Sequence, residues 1–212
     1  YDKNSAIRWA SKSSFPKVFK LRGGAASANV MLVSSEKKAF SLIKRAFGAG
    51  FRRYNAPVML KERWRRYKLG KTDLYDVIKG FARLIVKTNF EKIAGKDKGY
   101  IYFQDFIPNN HYDIRVIVID EKAFAIKRLV RKGDFRASGS GEIEYERELI
   151  SKNTLEISFQ IAELLKSTCL AVDFIYENEN PLITEISYGF LSNVYDKCEG
   201  YWDKHLNWYE RE

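Results

Sequence analysis

Apolar residues along this chain recur at two different spacings, and the switches between the spacings mark out its elements. Residues 2–12 carry a weak helical pattern, ended by the turn-prone Ser11, Ser13 and Ser14 and by Pro16. Residues 17–21 alternate polar and apolar, as a short strand does. A loop of glycines and small residues at 22–29 separates them from an apolar run at 30–33. Ser35 stands just ahead of a helical pattern over 36–47, where its hydroxyl would cap the first free N–H groups. Residues 48–98 form the least typical region, opening with Gly48 and Gly50, with helices expected around 73–94. From residue 100 the pattern turns to strands: 100–106, then 113–119 and 123–130 as a hairpin around Asp120, Glu121 and Lys122. Leu155, Phe159, Ala162 and Leu165 predict an amphipathic helix over 152–167. A last hairpin is expected from 170–176 and 182–187, around Glu-Asn-Glu-Asn-Pro at 177–181. Strands joined by hairpins, with helices on one side, make an α+β fold, not a doubly wound parallel sheet.

Composition changes this picture in one respect. The net charge is +10, yet residues 1–100 hold 24 Lys+Arg against 7 Asp+Glu, while residues 101–212 hold 13 against 20. The basic half suits a polyanion such as a nucleotide triphosphate, an acidic glycan, nucleic acid or a membrane surface. The acidic half argues against the whole surface tracking a nucleic-acid backbone. No apolar run reaches the ~18 residues a membrane span needs, and Tyr1 opens neither with an initiator Met nor with a secretion signal. Cys169 and Cys198 form no disulfide framework and no paired metal spacing, so a reducing cytoplasm is the expected compartment.

Three groups of residues could carry chemistry. Asp173 and Glu185 lie symmetrically about position 179, and with that register they face each other across the last hairpin with Ser187 on the same side. Like charges opposite one another destabilise a ladder unless a cation or solvent intervenes, and oxygen donors from two strands suit Mg²⁺. The plain alternative is a hairpin edge with solvated acids, and a slip of one residue would put the two acids on opposite faces. Lys20, followed by Arg22, Gly23, Gly24, Ala25, Ala26, Ser27 and Ala28, offers a charge and close-approaching backbone N–H groups to a phosphate. The alternative is a glycine turn that only turns. Arg115, Lys127, Arg128, Arg131, Lys132 and Arg136 are cations on and after the middle hairpin, able to meet phosphate oxygens or to line a charged outer face. Neither His111 nor His205 has a partner that makes a triad or a zinc site.

Read in order, several segments form a series: Phe-Pro-Lys-Val-Phe-Lys at 15–20, Gly-Gly-Ala-Ala-Ser-Ala-Asn-Val at 23–30, Phe-Gln-Asp-Phe-Ile at 103–107, Asp-Ile-Arg at 113–115, Ala-Ile-Lys-Arg at 125–128, Gly-Asp-Phe-Arg at 133–136, Ala-Val-Asp at 171–173 and Thr-Glu-Ile-Ser at 184–187. The series resembles the motif order of ATP-grasp ligases, and within them the RimK-type branch, which adds amino acids to a protein carboxylate. The resemblance implies two α+β lobes with mostly antiparallel sheets and an ATP cleft between them. It divides the chain into a first lobe at 1–47, a basic helical insertion at 48–98 and a second lobe with the metal hairpin at 99–212. It implies ATP and Mg²⁺, with Lys20, Gly23, Gly24 and Ser27 at the phosphates and Gln104, Asp105, Phe106 and Ile107 along the adenine edge. Asp113 would sit beside Arg115; Arg115, Arg128 and Arg136 would lie near the transferred phosphate; Asp173, Glu185 and Ser187 would hold the metal.

The implied reaction phosphorylates a substrate carboxylate and lets an amine displace the phosphate, acting through positioning and charge. Ser187 and Ser138 depart from the asparagines usual in the family. The stretch from Val30 to Gln104 is longer than the family norm, and the domain that normally precedes it is absent from these residues. Arg52, Arg53, Arg63, Arg65, Arg66 and Lys68, with Trp64 and Tyr67, could grip an acidic acceptor, such as a cell-surface polysaccharide precursor or a peptide, the plain alternative being a solvated basic helix. The competing readings are a basic nucleic-acid module without catalysis, and an ATP-grasp relative that binds nucleotide but does not ligate. A kinase-like fold finds no His-Arg-Asp or Asp-Phe-Gly series here.

Overall fold

The computed structural model describes residues 2–21, 30–52, 54, 56–86, 93, 95–130, 134–136 and 142–211. The chain forms two compact units, Tyr1–Phe106 and Ile107–Glu212.

In the first unit, β1 (Lys17–Lys20) lies between β2 (Val30–Val33) and β5 (Tyr102–Asp105), antiparallel to both. Phe19 meets Met31 on one side and Phe103 on the other, and this face packs on α1 (Lys3–Lys12) and α2 (Glu36–Phe47). The capping expectation holds: the Ser35 hydroxyl accepts from the Lys38 N–H. Ala39, Leu42, Ile43 and Ala46 then fall on one buried stripe of α2, the 3.6-residue period that ties a helix to a core. Side chains alternate along a strand, so Lys20 lies on the opposite face of the sheet, beside Val30 and Tyr102.

Between these elements the chain makes β3 (Phe51–Arg52), α3 (Ala56–Lys68), α4 (Leu74–Ile85) and β4 (Lys96–Asp97), with β3 paired to β4. Asp73 caps α4 through the Asp76 N–H, and the Arg63 guanidinium reaches from α3 to the Asp76 carboxylate. The helices pack closely at Gly80, where a Cβ would come within 2.9 Å of both Leu60 and Arg63.

Among its described residues the second unit is built on a seven-stranded antiparallel sheet. Its main path runs β10 (Asn180–Ser187), β9 (Cys169–Glu177), β6 (Tyr112–Ile119), β7 (Lys122–Leu129), β11 (Gly200–Asp203), β12 (Trp208–Glu210), with β8 (Ile143–Glu144) on β7. One face, from Ile114, Val116, Val118, Leu170, Val172 and Phe174, packs on Leu155 and Ala162 of α5 (Lys152–Leu164). Alternation sends Asp113, Arg115, Ile117, Ile126, Arg128, Ala171 and Asp173 to the other face. There a 3₁₀ turn at Ser192–Tyr195 covers Ile117, Ile126 and Ala171 with Tyr195.

One expectation needs correction, and one element had no counterpart in the sequence reading. The last hairpin turns on two residues, not five: Asn178 and Glu179 both have positive φ, of 49° and 67°. Paired left-handed residues match the twist of the strands, so the ladder runs up to Glu177 and Asn180. Pro181 is tolerated inside β10 because that strand is the sheet edge. The β11–β12 hairpin was not anticipated at all. Its core position, Trp202, packs edge-on against Trp208 with ring centroids 4.6 Å apart. No helix among the described residues is long and apolar enough to cross a membrane.

Candidate active site

Four charged side chains meet on the face of the large sheet turned away from α5. Arg128 stands opposite Asp113 in the β6–β7 ladder, and its Nε and Nη2 each donate to one carboxylate oxygen at 2.6 Å. Arg115 stands opposite Asp173 in the β6–β9 ladder and binds it in the same two-pronged way, at 2.5 and 2.6 Å. Nη2 of Arg128 also lies 3.0 Å from Asp173, which joins the pairs into one network. The planar guanidinium fork matches the carboxylate, which makes such pairs directional as well as strong.

The third rung carries the expected register. Glu185 is directly opposite Asp173, and Ser187 opposite Ala171, so all three lie on the network's face. That register depends on a bulge. From the turn to Ile183 the partners follow one alignment, and the shift between Ile183 and Glu185 sets Thr184 outside it. Without the bulge Asp173 would pair with Thr184, and Glu185 would point to the α5 face. Thr184 donates back to the Asp173 carbonyl at 3.2 Å. The clash expected of two facing acids is relieved on both sides. Asp173 is buried between two guanidinium groups, and Glu185 is exposed to solvent.

The environment drives the two aspartates apart. Burial outweighs the single guanidinium beside Asp113 and pushes its carboxyl above the ordinary value. Asp173 is also desolvated, but Arg115 and Arg128 together outweigh that and hold it below the usual range. Asp173 is therefore a persistent anion held by cations.

One member of this face has no sequence signal. Tyr195 is buried, 6% exposed, and its hydroxyl has no hydrogen-bond partner among the described residues. It packs on Ile117, Ile126 and Ala171, each two residues along a strand from Arg115, Arg128 or Asp173. Burial pushes its phenol above the ordinary value while the two arginines pull the other way.

The remaining expected residues lie as follows. Lys20 is half-buried at the end of β1, and Gln104 shares its sheet face beside Val18. Asp105 pairs with Lys17 across the β1–β5 ladder. Phe106 ends the first unit and Ile107 begins the second, so the segment expected to join two lobes is where the chain crosses between units. Arg136 is held by Asp134, at 2.7 Å from its Nη2. The Ser187 hydroxyl accepts from the Gly189 N–H and donates to the Gly189 carbonyl, at 3.3 and 3.0 Å. Lys127 faces the α5 side, 2.8 Å from Glu144 and over the Tyr112 ring. Gly23, Gly24, Ser27, Arg131, Lys132 and Ser138 fall outside the described residues. Asp173 and Glu185 are hard oxygen donors side by side, a set that suits a hard divalent cation sharing its other positions with phosphate or water. Among the described residues no group of three or more His, Cys, Asp or Glu side chains gathers into a closed metal cage.

Residues 82–197, more than half of the 212, match the family model of the RimK-like ATP-grasp domain. The chain belongs to that family. Its fold is accordingly the ATP-grasp fold, and the segments at 103–107, 113–115, 125–128, 133–136, 171–173 and 184–187 fall inside the matched residues, whereas those at 15–20 and 23–30 lie outside them. A search of curated protein sequences returns no match. Among solved structures, the D-alanine–D-alanine ligase of Bacillus anthracis is 14% identical at a TM-score of 0.45, covering 82% of this chain and 44% of its own. A RimK-domain ATP-grasp protein of Sphaerobacter thermophilus is 13% identical at 0.44, covering 92% and 52%. The biotin carboxylase domain of the Hydrogenobacter thermophilus 2-oxoglutarate carboxylase, in complex with MgADP, ADP and bicarbonate, is 11% identical at 0.48, covering 90% and 34%. The chain thus spans about half the length, or less, of these structures.

Proposed function

We propose that this chain is the nucleotide-binding part of an ATP-dependent ligase that joins a carboxylate to an amine. The observation that carries the reading is the ordered row on one sheet face, Arg115, Asp173 and Glu185, with the Arg128–Asp113 pair alongside, in a chain of this family. Cations and carboxylates without a nucleophile suit a reaction that needs alignment and charge neutralisation.

In this reading Asp173 and Glu185 hold Mg²⁺, Ser187 stands beside them, and the network keeps Asp173 ionised for the task. Magnesium, when bound, supplies Lewis-acid charge neutralisation along the phosphate chain. Arg115, Arg128 and Arg136 balance charge on the transferred phosphoryl group. Lys20 and the small-residue loop with Gly23, Gly24 and Ser27 hold the phosphates, and the backbone of 104–107 reads the adenine edge. The acceptor carboxylate oxygen bonds to the terminal phosphorus as the bond to ADP breaks. The amine nitrogen then attacks the acyl carbon, inorganic phosphate departs, and the nitrogen loses a proton to solvent. The acceptor is a carboxylate on a glycan precursor or a peptide, met in the cytoplasm, where Cys169 and Cys198 stay free as they are here.

Ser187 favours a second reading, a relative that binds nucleotide without ligating, because its hydroxyl is engaged with Gly189. One assay separates the two: phosphate release from Mg-ATP, measured across a panel of carboxylates and amines. The ligase reading predicts release that needs both partners and leaves an amide detectable by mass. Nucleotide binding with no release for any pair supports the second reading instead.

A further inference from the structure

The family match begins at residue 82, so α3 and most of α4 lie outside it, and the site just described uses none of their side chains. Their surface is nevertheless unusual. In α4, Leu74, Ile78, Phe81 and Ile85 recur at helical spacing, a stripe that ordinarily faces a core. Here the four are 51, 56, 54 and 87% exposed. The helix packs on α3 by its flank instead, through Val77 and Gly80, which are buried. Beside the stripe, Pro57, Leu60, Lys61, Trp64, Phe81 and Leu84 line a groove of about 430 Å³, so the apolar surface runs on from α4 to α3.

Charge completes the surface. The three acids of residues 56–86 are already engaged: Glu62 with Arg65, Asp76 with Arg63, and Asp73 as the α4 cap. Lys61, Arg66, Lys68, Lys71 and Lys79 are exposed around the patch. The Lys68 ammonium lies 5.8 Å from the Trp64 ring and that of Lys79 lies 4.3 Å from the Tyr75 ring. Each keeps a charged head over the face of an aromatic ring that is itself exposed.

We propose that the outer face of the α3–α4 pair docks on an anionic lipid bilayer. An amphipathic helix with aliphatic and aromatic residues on one face and uncompensated lysines around it buries the first among acyl chains and sets the second among acidic headgroups. At 1.5 Å per residue, α4 is about 18 Å long, enough to lie in the interface and too short to cross it. A soluble acidic polymer would use the lysines but leave the stripe in water, which is why the bilayer is the better match.

The test is co-sedimentation of the full chain with vesicles of phosphatidylcholine alone and of phosphatidylcholine with phosphatidylglycerol, at low and high salt. Two variants probe the two parts, Ile78→Ser with Phe81→Ser and Lys68→Glu with Lys79→Glu. All four side chains are exposed, so the fold is retained, which a parent-like circular dichroism spectrum checks. The expected result is binding to the anionic vesicles only, weakened about tenfold or more by either variant and by salt. Absence of binding to anionic vesicles overturns the proposal, as does binding that the serine variant leaves unchanged. A salt-sensitive complex with an acidic polysaccharide or an acidic protein in place of vesicles also overturns it, as does a dimer that the serine variant dissociates.

Discussion

Asp173 is the residue on which the candidate site turns, because two guanidinium groups and one facing glutamate all depend on its charge. Its folded pKa lies below the unfolded value of about 3.9. The charged form therefore stabilises the fold at pH values above that, and the contribution is lost as pH falls through the folded pKa. Removing one member of a buried ion pair costs about 3–5 kcal/mol. Asp173→Asn should show a deficit of that order at pH 7 in urea unfolding, and the two stability curves should converge below about pH 4. A gap that stays constant into acid would mean that the network does not carry the charge dependence. At this scale the sequence was legible in part. The even spacing of Asp173 and Glu185 about position 179 already implied that they face each other. That Arg115 lies beside Asp173 and Arg128 beside Asp113 needed the strand order, and Tyr195, at the end of a 3₁₀ turn, carried no signal because only tertiary packing buries it.

The hairpin of β9 and β10 shows how an element can reach the expected register by an unexpected route. A symmetric five-residue turn was anticipated; the structure has a two-residue turn, and the bulge at Thr184 makes up the difference. Alternation of side chains is visible in a sequence, but an extra residue in one strand is not, since Thr184 is as good a strand residue as its neighbours. Deleting Thr184 gives a direct prediction. The alignment that pairs Ile183 with Phe174 would then continue to pair Glu185 with Asp173, so the acids stay on one face. We expect a loss of about 1 kcal/mol from the missing bond to the Asp173 carbonyl. Any magnesium-dependent rise in melting temperature with nucleotide should be retained. A folded deletion protein without that rise would show that the bulge, and not the register, aims the carboxylates. The helices were legible to different degrees for a related reason. A cap and a clean period marked α2, whereas α3 places its apolar and basic residues around much of its circumference, and α4 turns its periodic stripe outward, so its period was readable and its exposure was not.

At the scale of the whole molecule, the charge imbalance read from composition sorts into surfaces with different uses. The first hundred residues hold 24 Lys+Arg, and those of α3 and α4 surround an apolar face. In the second unit, by contrast, Arg115 and Arg128 are turned inward onto aspartates. The expectation that the basic stretch grips an acidic polymer took each cation as available, but Arg63 is engaged by Asp76 of α4 and Arg65 by Glu62 of its own helix. Family membership was legible because the segments between Phe103 and Ser187 that carried the resemblance fall inside the matched residues 82–197, whereas the acceptor was not, since nothing in the ATP-grasp motifs encodes it. The claim beneath all of this is that Asp173 and Glu185 together hold a divalent ion against a nucleotide. Glu185 is exposed, so replacing it by Gln should change stability by no more than about 0.5 kcal/mol and leave binding as the readout. The deciding measurement is calorimetric titration of ADP into the protein and into Glu185→Gln, each with and without Mg²⁺. The account predicts binding that magnesium strengthens in the parent, weakened about tenfold or more by the substitution only when magnesium is present. Equal affinity and equal magnesium dependence in the two proteins would contradict it.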